Sequence, residues 1–411
     1  MSMNTRITKV LYLAIALLLT VMMPACTSFD TPESQEPQET TARVDKAIIG
    51  AADNFMNLVY PATRGANRQV KNVRHMLSAL TRGSASQDTL FTVVNYEDES
   101  GFVLMAKTEN GYDLYAIDDS HSMEFTDTTF NEGLRFYLSQ ARANAFPGTG
   151  TDSTIVAPPI TSETYEVVKH GPFLNNYVSN WSQRFPYNIF CPVAYNSATG
   201  QYDNCLTGCV PLAMAMVMAY HHWPLTASNH GFDWVIINGN PNTFIPSYAK
   251  YAYEEIATLV TMLGNSDNLK TTYGLYGSST PLRNIVPVLN KWGFTHSGDW
   301  NKSTAADLAR QNTPALMFGE EDSNNLDASH VWVCDGRMYL KYNSDSGLVD
   351  DTDYVPRMYY HFVWGWGGRS NGYYRIGSKT GVDGDPITGN TVETPNLFVH
   401  LKCLTDIKPI K

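Results

Sequence analysis

Positive charge is scarce in this chain: 29 Lys and Arg stand against 40 Asp and Glu, a formal net charge of −11, with no long basic run. A phosphate backbone or an anionic lipid surface needs the opposite balance, which argues against nucleic acid and against an electrostatic membrane patch. Long apolar runs are scarce too, and after Met23 none is long enough to cross a bilayer. Cysteine is sparse, six residues in 411. Beyond Cys26 there remain Cys191, Cys205, Cys209, Cys334 and Cys403. An odd set cannot pair off completely within one chain, so at least one thiol is unpaired or intermolecular, which leaves room for a reactive one.

The first 26 residues read as an export signal. Arg6 and Lys9 supply the positive end, and Val10 to Met23 is an apolar core too short to span a membrane comfortably. The run ends Met23-Pro-Ala-Cys26, small residues before a cysteine, as in bacterial lipoprotein signals. The expectation is a lipoprotein signal peptide over 1–26, with Cys26 the lipidated first residue of the mature chain; ordinary signal cleavage is the alternative. That makes the protein an exported lipoprotein of the outer membrane, on its periplasmic or surface face. Residues 27–44 are acidic, contain proline and are poor in large apolar side chains, the composition of a disordered spacer.

The remaining chain, about 370 residues, is too long for one typical domain. Residues 45–146 read as a small α+β unit. Ile48, Ile49, Ala52, Phe55, Met56 and Val59 share a helical face, and the apolar runs Leu90–Tyr96, Phe102–Ala106 and Tyr112–Ile117 are separated by turn residues. A helix around Asn131–Ala143 closes the unit, and nothing in it has the look of an active site. Residues 147–162, small, polar and proline-rich, form a linker open to proteolysis. From 163 to 411, helical periodicity at Pro246–Leu263 and Pro281–Trp292 gives way to short β runs: Ala315–Phe318, His330–Cys334, Tyr359–Trp364, Tyr373–Ile376 and Leu397–Leu401. A helical half followed by an antiparallel β half predicts an α+β domain with a cleft between the halves.

Chemistry concentrates at Cys205-Leu-Thr-Gly-Cys209-Val-Pro-Leu-Ala-Met-Ala-Met-Val-Met-Ala-Tyr-His-His-Trp-Pro224. Gly208 allows a tight turn, Pro211 suits a first helical turn, and the residues that follow are apolar on every face. The pattern predicts a fully buried helix with Cys209 at its N-terminus, where unpaired N–H groups and the helix dipole favour thiolate. A nucleophilic cysteine needs a base. His330 opens the alternating run His-Val-Trp-Val-Cys-Asp-Gly336, so it sits at the mouth of a strand and can face a helix N-terminus across a cleft. His221 and His222 lie roughly 18 Å from the thiol along the helix and suit its C-terminal carbonyls instead; His361 falls inside an aromatic strand. In Tyr359-Tyr-His-Phe-Val-Trp-Gly-Trp-Gly-Gly368 the glycines weaken a plain strand but suit backbone passing beneath a large ring. Cys205 and Cys209 followed by His221 or His222 and then His230 have a superficial zinc-finger spacing. The histidine interval is too long, however, and a buried helix would hold Cys209 and His222 apart, so no metal and no cofactor are expected.

Together Gly208–Pro224, Ser329-His-Val-Trp-Val-Cys-Asp-Gly336 and Trp364-Gly-Trp-Gly-Gly368 resemble the successive signatures of the streptopain family of papain-like cysteine peptidases. Trp181-Ser-Gln-Arg-Phe-Pro-Tyr-Asn188 with Cys191-Pro192 resembles that family's segment ahead of the nucleophile, and the match covers about 165 to 375. The 45–146 unit resembles the family's inhibitory propeptide more loosely. The resemblance implies a papain-like two-subdomain peptidase over 163–411, with Cys209 as nucleophile and His330 as general base and then acid. It makes Gln183 an oxyanion donor beside the Cys209 N–H, Trp364 a cover over the pair and Trp366 its support. It further implies polypeptide substrates, the prodomain as an inhibitor, and activation by self-processing or another protease. Two positions depart from the pattern: Ser329 replaces the usual Gly before the histidine, and Val363 replaces the Asn that often precedes the first Trp. A dyad is therefore expected rather than a triad. The rival expectation is a surface lipoprotein with a dead papain-like cleft that binds peptides or host protein.

Overall fold

The computed structural model describes residues 46–61, 68–77, 89–108, 111–145, 160, 164–297, 308, 311–320, 329–342, 357–376 and 401–410. The signal peptide with Cys26, the 27–44 spacer, the 147–162 linker apart from Ile160, and most of the run expected at 397–401 lie outside the described residues. Among the described residues no helix is long and apolar enough to cross a membrane.

Helix α1 (Lys46–Val59) buries Ala52, Phe55, Met56 and Val59 on one face, following the periodicity of the sequence. An antiparallel meander follows: β1 (Val70–Leu77), β2 (Thr89–Tyr96), β3 (Phe102–Thr108) and β4 (Gly111–Asp118). Strand β1, absent from the sequence reading, lies at the sheet edge and is nowhere fully buried. Its Lys71, Asn72 and Arg74 dilute the apolar signal, as edge positions tolerate. Helix α2 (Glu132–Ala145) starts where the Asn131 side chain accepts the Leu134 N–H at 2.9 Å, an N-cap that the composition of the segment allows.

Strand β5 (Tyr165–His170) opens the second part. The hairpin of β6 (Val193–Asn196) and β7 (Gln201–Asn204) leads into α3 (Cys209–His221), followed by α4 (Pro246–Gly264) and α5 (Ile285–Lys291). Then come β8 (Phe294–Ser297), β9 (Ala315–Glu320), β10 (Ser329–Tyr342), β11 (Arg357–Val363), β12 (Gly372–Arg375) and β13 (Leu401–Pro409). Strand β10 outruns its expected end at Asp335-Gly336. A bulge between Cys334 and Gly336 keeps it paired with β11, and β5 takes over from β9 along its other edge.

Among the described residues 11 strands form one sheet, in the order β1-β2-β3-β4-β12-β11-β10-β9-β13-β8, with β5 alongside β10. The N-terminal meander joins it where β4 pairs with β12, Ile117 opposite Tyr373 and Ala116 opposite Tyr374. The described residues from Lys46 onward accordingly fall within one compact unit. Beside this seam the carboxylate of Asp113 is buried between Arg357 and Arg375, the latter at 3.1 Å.

Strand parity then decides what each face touches. Val331 and Val333 point toward α3 and α4 and share a core with Leu212, Met214, Leu259 and Leu263. Trp332 and Cys334 point the other way, into a core with Leu134, Phe136, Tyr137 and Leu138 of α2. Helix α1 covers a third core over β2–β4. Every residue of α3 from Val210 to Ala219 is buried, and burying each large side chain stabilises the fold by about 1.5–3 kcal/mol. One charge inside that run, Met216→Asp for example, would unseat the helix that carries Cys209.

Candidate active site

Cys209 is the first residue of α3. Gly208 before it has φ +88°; a Cβ would fit there in ordinary contact with Ser278 and Thr271, so it is the left-handed backbone that favours glycine. Of the five described cysteines, Cys191, Cys205, Cys334 and Cys403 are buried; Cys209 alone is partly exposed. Burial pushes the Cys191 thiol up to about 11 and raises those of Cys205 and Cys334. Those three are held as neutral thiols, poor nucleophiles.

His330 shares strand parity with Trp332, whose ring it stacks over at 6.2 Å and 16°. It is buried, and each side of its imidazole has a partner. Nε2 lies 3.2 Å from the main-chain oxygen of Trp364. A carbonyl can only accept, so Nε2 carries the proton. Nδ1 lies 3.3 Å from the carboxylate of Glu132, and the ring also hydrogen-bonds the Cys209 thiol. An imidazole that donates on both sides is an imidazolium. Burial pulls its pKa down, but Cys209 and Glu132 outweigh burial and raise it. Burial likewise opposes the charge on Glu132, and the His330 contact more than offsets this, leaving that carboxyl below its ordinary value. The acceptor for Nε2 is thus the carbonyl of Trp364, the residue after Val363.

Gln183 is buried, and its main chain joins the two halves of the site. Its N–H donates to Gly365 O at 3.2 Å, and its C=O accepts the Thr207 N–H at 3.1 Å, two residues before Cys209. Successive carbonyls of one loop, Trp364 and Gly365, therefore hold the histidine and the glutamine segment. The Trp364 indole donates to Ser370 O at 2.8 Å and its ring lies 5.0 Å from that of Trp332. Trp366 bridges to Ser182 and packs edge-on against Phe130 at 5.3 Å.

The 45–146 unit, expected as an inhibitory prodomain, lies against the site through the start of α2. Glu132 begins α2, and Gly133 lies so close over the site that a Cβ there would come within 2.5–2.7 Å of Trp364 and His330. Sequence reasoning missed both because nothing local marks them; a glutamate and a glycine opening a helix are unremarkable until the sheet folds them against a strand almost two hundred residues later. His361, on the neighbouring strand, is occupied elsewhere, with Nδ1 2.5 Å from Asp335, whose other oxygen accepts the Leu174 N–H at 3.1 Å. His222 caps the far end of α3 with φ 51° and is remote from the thiol. Among the described residues no three His, Cys, Asp or Glu side chains gather as a metal site.

A thiol at the head of a buried helix, facing an imidazole at the mouth of an antiparallel strand, defines an α+β fold of the papain-like thiol-peptidase class. Residues 181–374 match the family model of the peptidase C10 family, and this match supports a streptopain-like family of papain-fold cysteine peptidases. It is similar to the thiol protease/hemagglutinin PrtT of Porphyromonas gingivalis, 23% identical over 334 residues that cover 72% of this chain and 35% of the relative. It is similar to streptopain of Streptococcus pyogenes, 26% identical over 223 residues that cover 48% of this chain and 53% of the relative. The chain thus spans between a third and about half of the length of these curated relatives. Among solved structures it is similar to a fragment of Prevotella intermedia prointerpain A, at 17% identity and a TM-score of 0.47, covering 80% of this chain and 98% of that one.

Proposed function

We propose that the chain is an exported cysteine endopeptidase made as a latent precursor, tethered through Cys26 to the outer membrane. Cys209 Sγ attacks a peptide carbonyl carbon, and the electron pair moves onto the carbonyl oxygen. The Cys209 N–H and the Gln183 side chain stabilise that oxyanion. His330 gives its proton to the leaving amine as the C–N bond breaks, leaving a thioester. A water molecule then loses a proton to His330 and attacks the thioester, which releases the carboxylic acid and restores the thiolate–imidazolium pair. What carries the reading is the environment of His330, whose imidazole hydrogen-bonds both the Cys209 thiol and the Trp364 carbonyl.

In the precursor the start of α2 occupies this site: Glu132 holds the imidazole and Gly133 rests on His330 and Trp364. Cleavage in the 147–162 linker, by the enzyme itself or by another protease, would let α2 leave. The test uses protein lacking residues 1–26, as wild type and as Cys209→Ala, incubated under reducing conditions with casein and followed on a gel. Wild type should trim itself near 146–170 and degrade casein while the variant stays intact. If both stay inert even after the linker is cut with an added protease, the peptide-binding alternative replaces this reading.

A further inference from the structure

The Trp364 carbonyl can orient His330 only if its own main chain is held, and the sheet does not hold it. Strand β11 ends at Val363, and the loop that follows has Gly365, Gly367 and Gly368 at φ +79°, +71° and +84°, backbone with little intrinsic preference. The Trp364 N–H lies beyond the ladder and donates instead to Asn371 Oδ1 at 3.0 Å. Asn371 is fully buried; its Nδ2 donates to Ser179 O at 2.9 Å and its N–H to Gly368 O at 3.0 Å. One side chain thus closes the loop from Trp364 to Asn371 and ties it to the segment leading to Gln183.

We propose that Asn371 is the positioning residue of the catalytic pair, doing through the Trp364 main chain what a side chain at position 363 would do directly. It fixes the Trp364 peptide so that its carbonyl meets His330 Nε2–H, and so keeps the ring turned toward Cys209. This rests on the peptidase reading above. A hydrogen bond from an imidazolium is stronger than one from a neutral ring, so holding the carbonyl in place favours charged His330 and extends the active form toward higher pH.

The experiment compares wild type, Asn371→Asp and Asn371→Leu as full chains after processing, on a peptide amide, with active sites counted by an irreversible thiol label. Both variants lose the bond to Ser179 O; only Leu also loses the acceptor for the Trp364 N–H. Asn371→Leu should lower kcat about 10- to 100-fold, less than the roughly 10²–10⁴-fold that a general acid–base group itself contributes. KM should stay within about twofold, and the alkaline limb of kcat/KM should fall by about half a unit or more. Asn371→Asp should keep kcat within about threefold and its alkaline limb at or above that of wild type. The proposal is overturned if Leu lowers thermal stability but leaves the alkaline limb and kcat per site unchanged, or if Asp lowers them as Leu does. Should Leu yield no folded protein, Asp decides: a lowered limb or kcat overturns the proposal, and a retained one supports it. Absence of Cys209-dependent cleavage in wild type would instead refute the peptidase reading.

Discussion

The helical and β halves of the site hold their residues by opposite means. Cys209 owes its place to near neighbours: Gly208 turns the chain, Pro211 starts the helix, and a continuous buried run from Val210 fixes it. His330 owes its place to groups far away in the chain, namely Glu132 on α2, Trp364 just past the neighbouring strand β11, and Cys209 itself. A local arrangement of that kind is rigid and already present before anything docks. A long-range one can be altered by removing a single element, and α2 is the element in question. On the proposed reading, the nucleophile is built permanently and control is exercised at the base.

The sharpest way to test this contrast is to remove the base and leave the helix. His330→Ala should reduce kcat about 10²–10⁴-fold with Cys209 still open to alkylation, whereas His361→Ala should alter stability far more than kcat per labelled site. Steady-state kinetics with active-site counting separates the two. Next comes the seam between the modules. Asp113→Asn leaves Arg357 and Arg375 buried with a weaker partner, and should cost the precursor about 3–5 kcal/mol in denaturant unfolding, measured on the Cys209→Ala background to prevent self-cleavage. An unchanged midpoint would mean that the seam holds without this cluster.

Gln183→Ala should lower kcat about 10²-fold with little change in KM if its amide meets the oxyanion, and much less if only its main chain matters. The smallest effect belongs to the contact between α2 and the base. Because the pKa of His330 is raised, its contribution is complete below the ordinary imidazole value and is lost as pH rises through the raised one. Because the pKa of Glu132 is lowered, its contribution is present above the ordinary carboxyl value and is lost as pH falls through the lowered one. The contact's contribution is therefore complete between the ordinary carboxyl and imidazole values and falls gradually as pH rises above that range. In the intact precursor Glu132→Gln should speed alkylation of Cys209 several-fold near pH 7, and the ratio to wild type should shrink toward one at low pH. A ratio independent of pH would show that Glu132 takes no part in closing the site.

Legibility followed the range of the interactions. The α3 helix, the alternation in Val331–Cys334 and the meander of β2, β3 and β4 could all be read because each depends on periodicity within one segment. Strand β1 was missed where edge exposure admits Lys71 and Arg74, and β10 was cut short where a bulge carries it past Gly336. The orienting carbonyl of Trp364 could not be read at all, since a main-chain oxygen leaves no trace in residue identity. Asn371 was passed over for a related reason: its role rests on which N–H and which C=O it reaches, Trp364 and Ser179, and composition is silent on both.

The amino-acid sequence by itself determined the Cys209 helix, the strand that presents His330 and the α+β class, because turn residues and hydrophobic period act over a few residues and need no partner. Tertiary structure alone decided that β4 completes the sheet at β12, that Glu132 and Gly133 lie on His330, and that Trp364 and Gly365 hold the two halves together. Those are contacts between segments tens to hundreds of residues apart, selected by burial and hydrogen-bond satisfaction across the whole chain, and no single segment carries them.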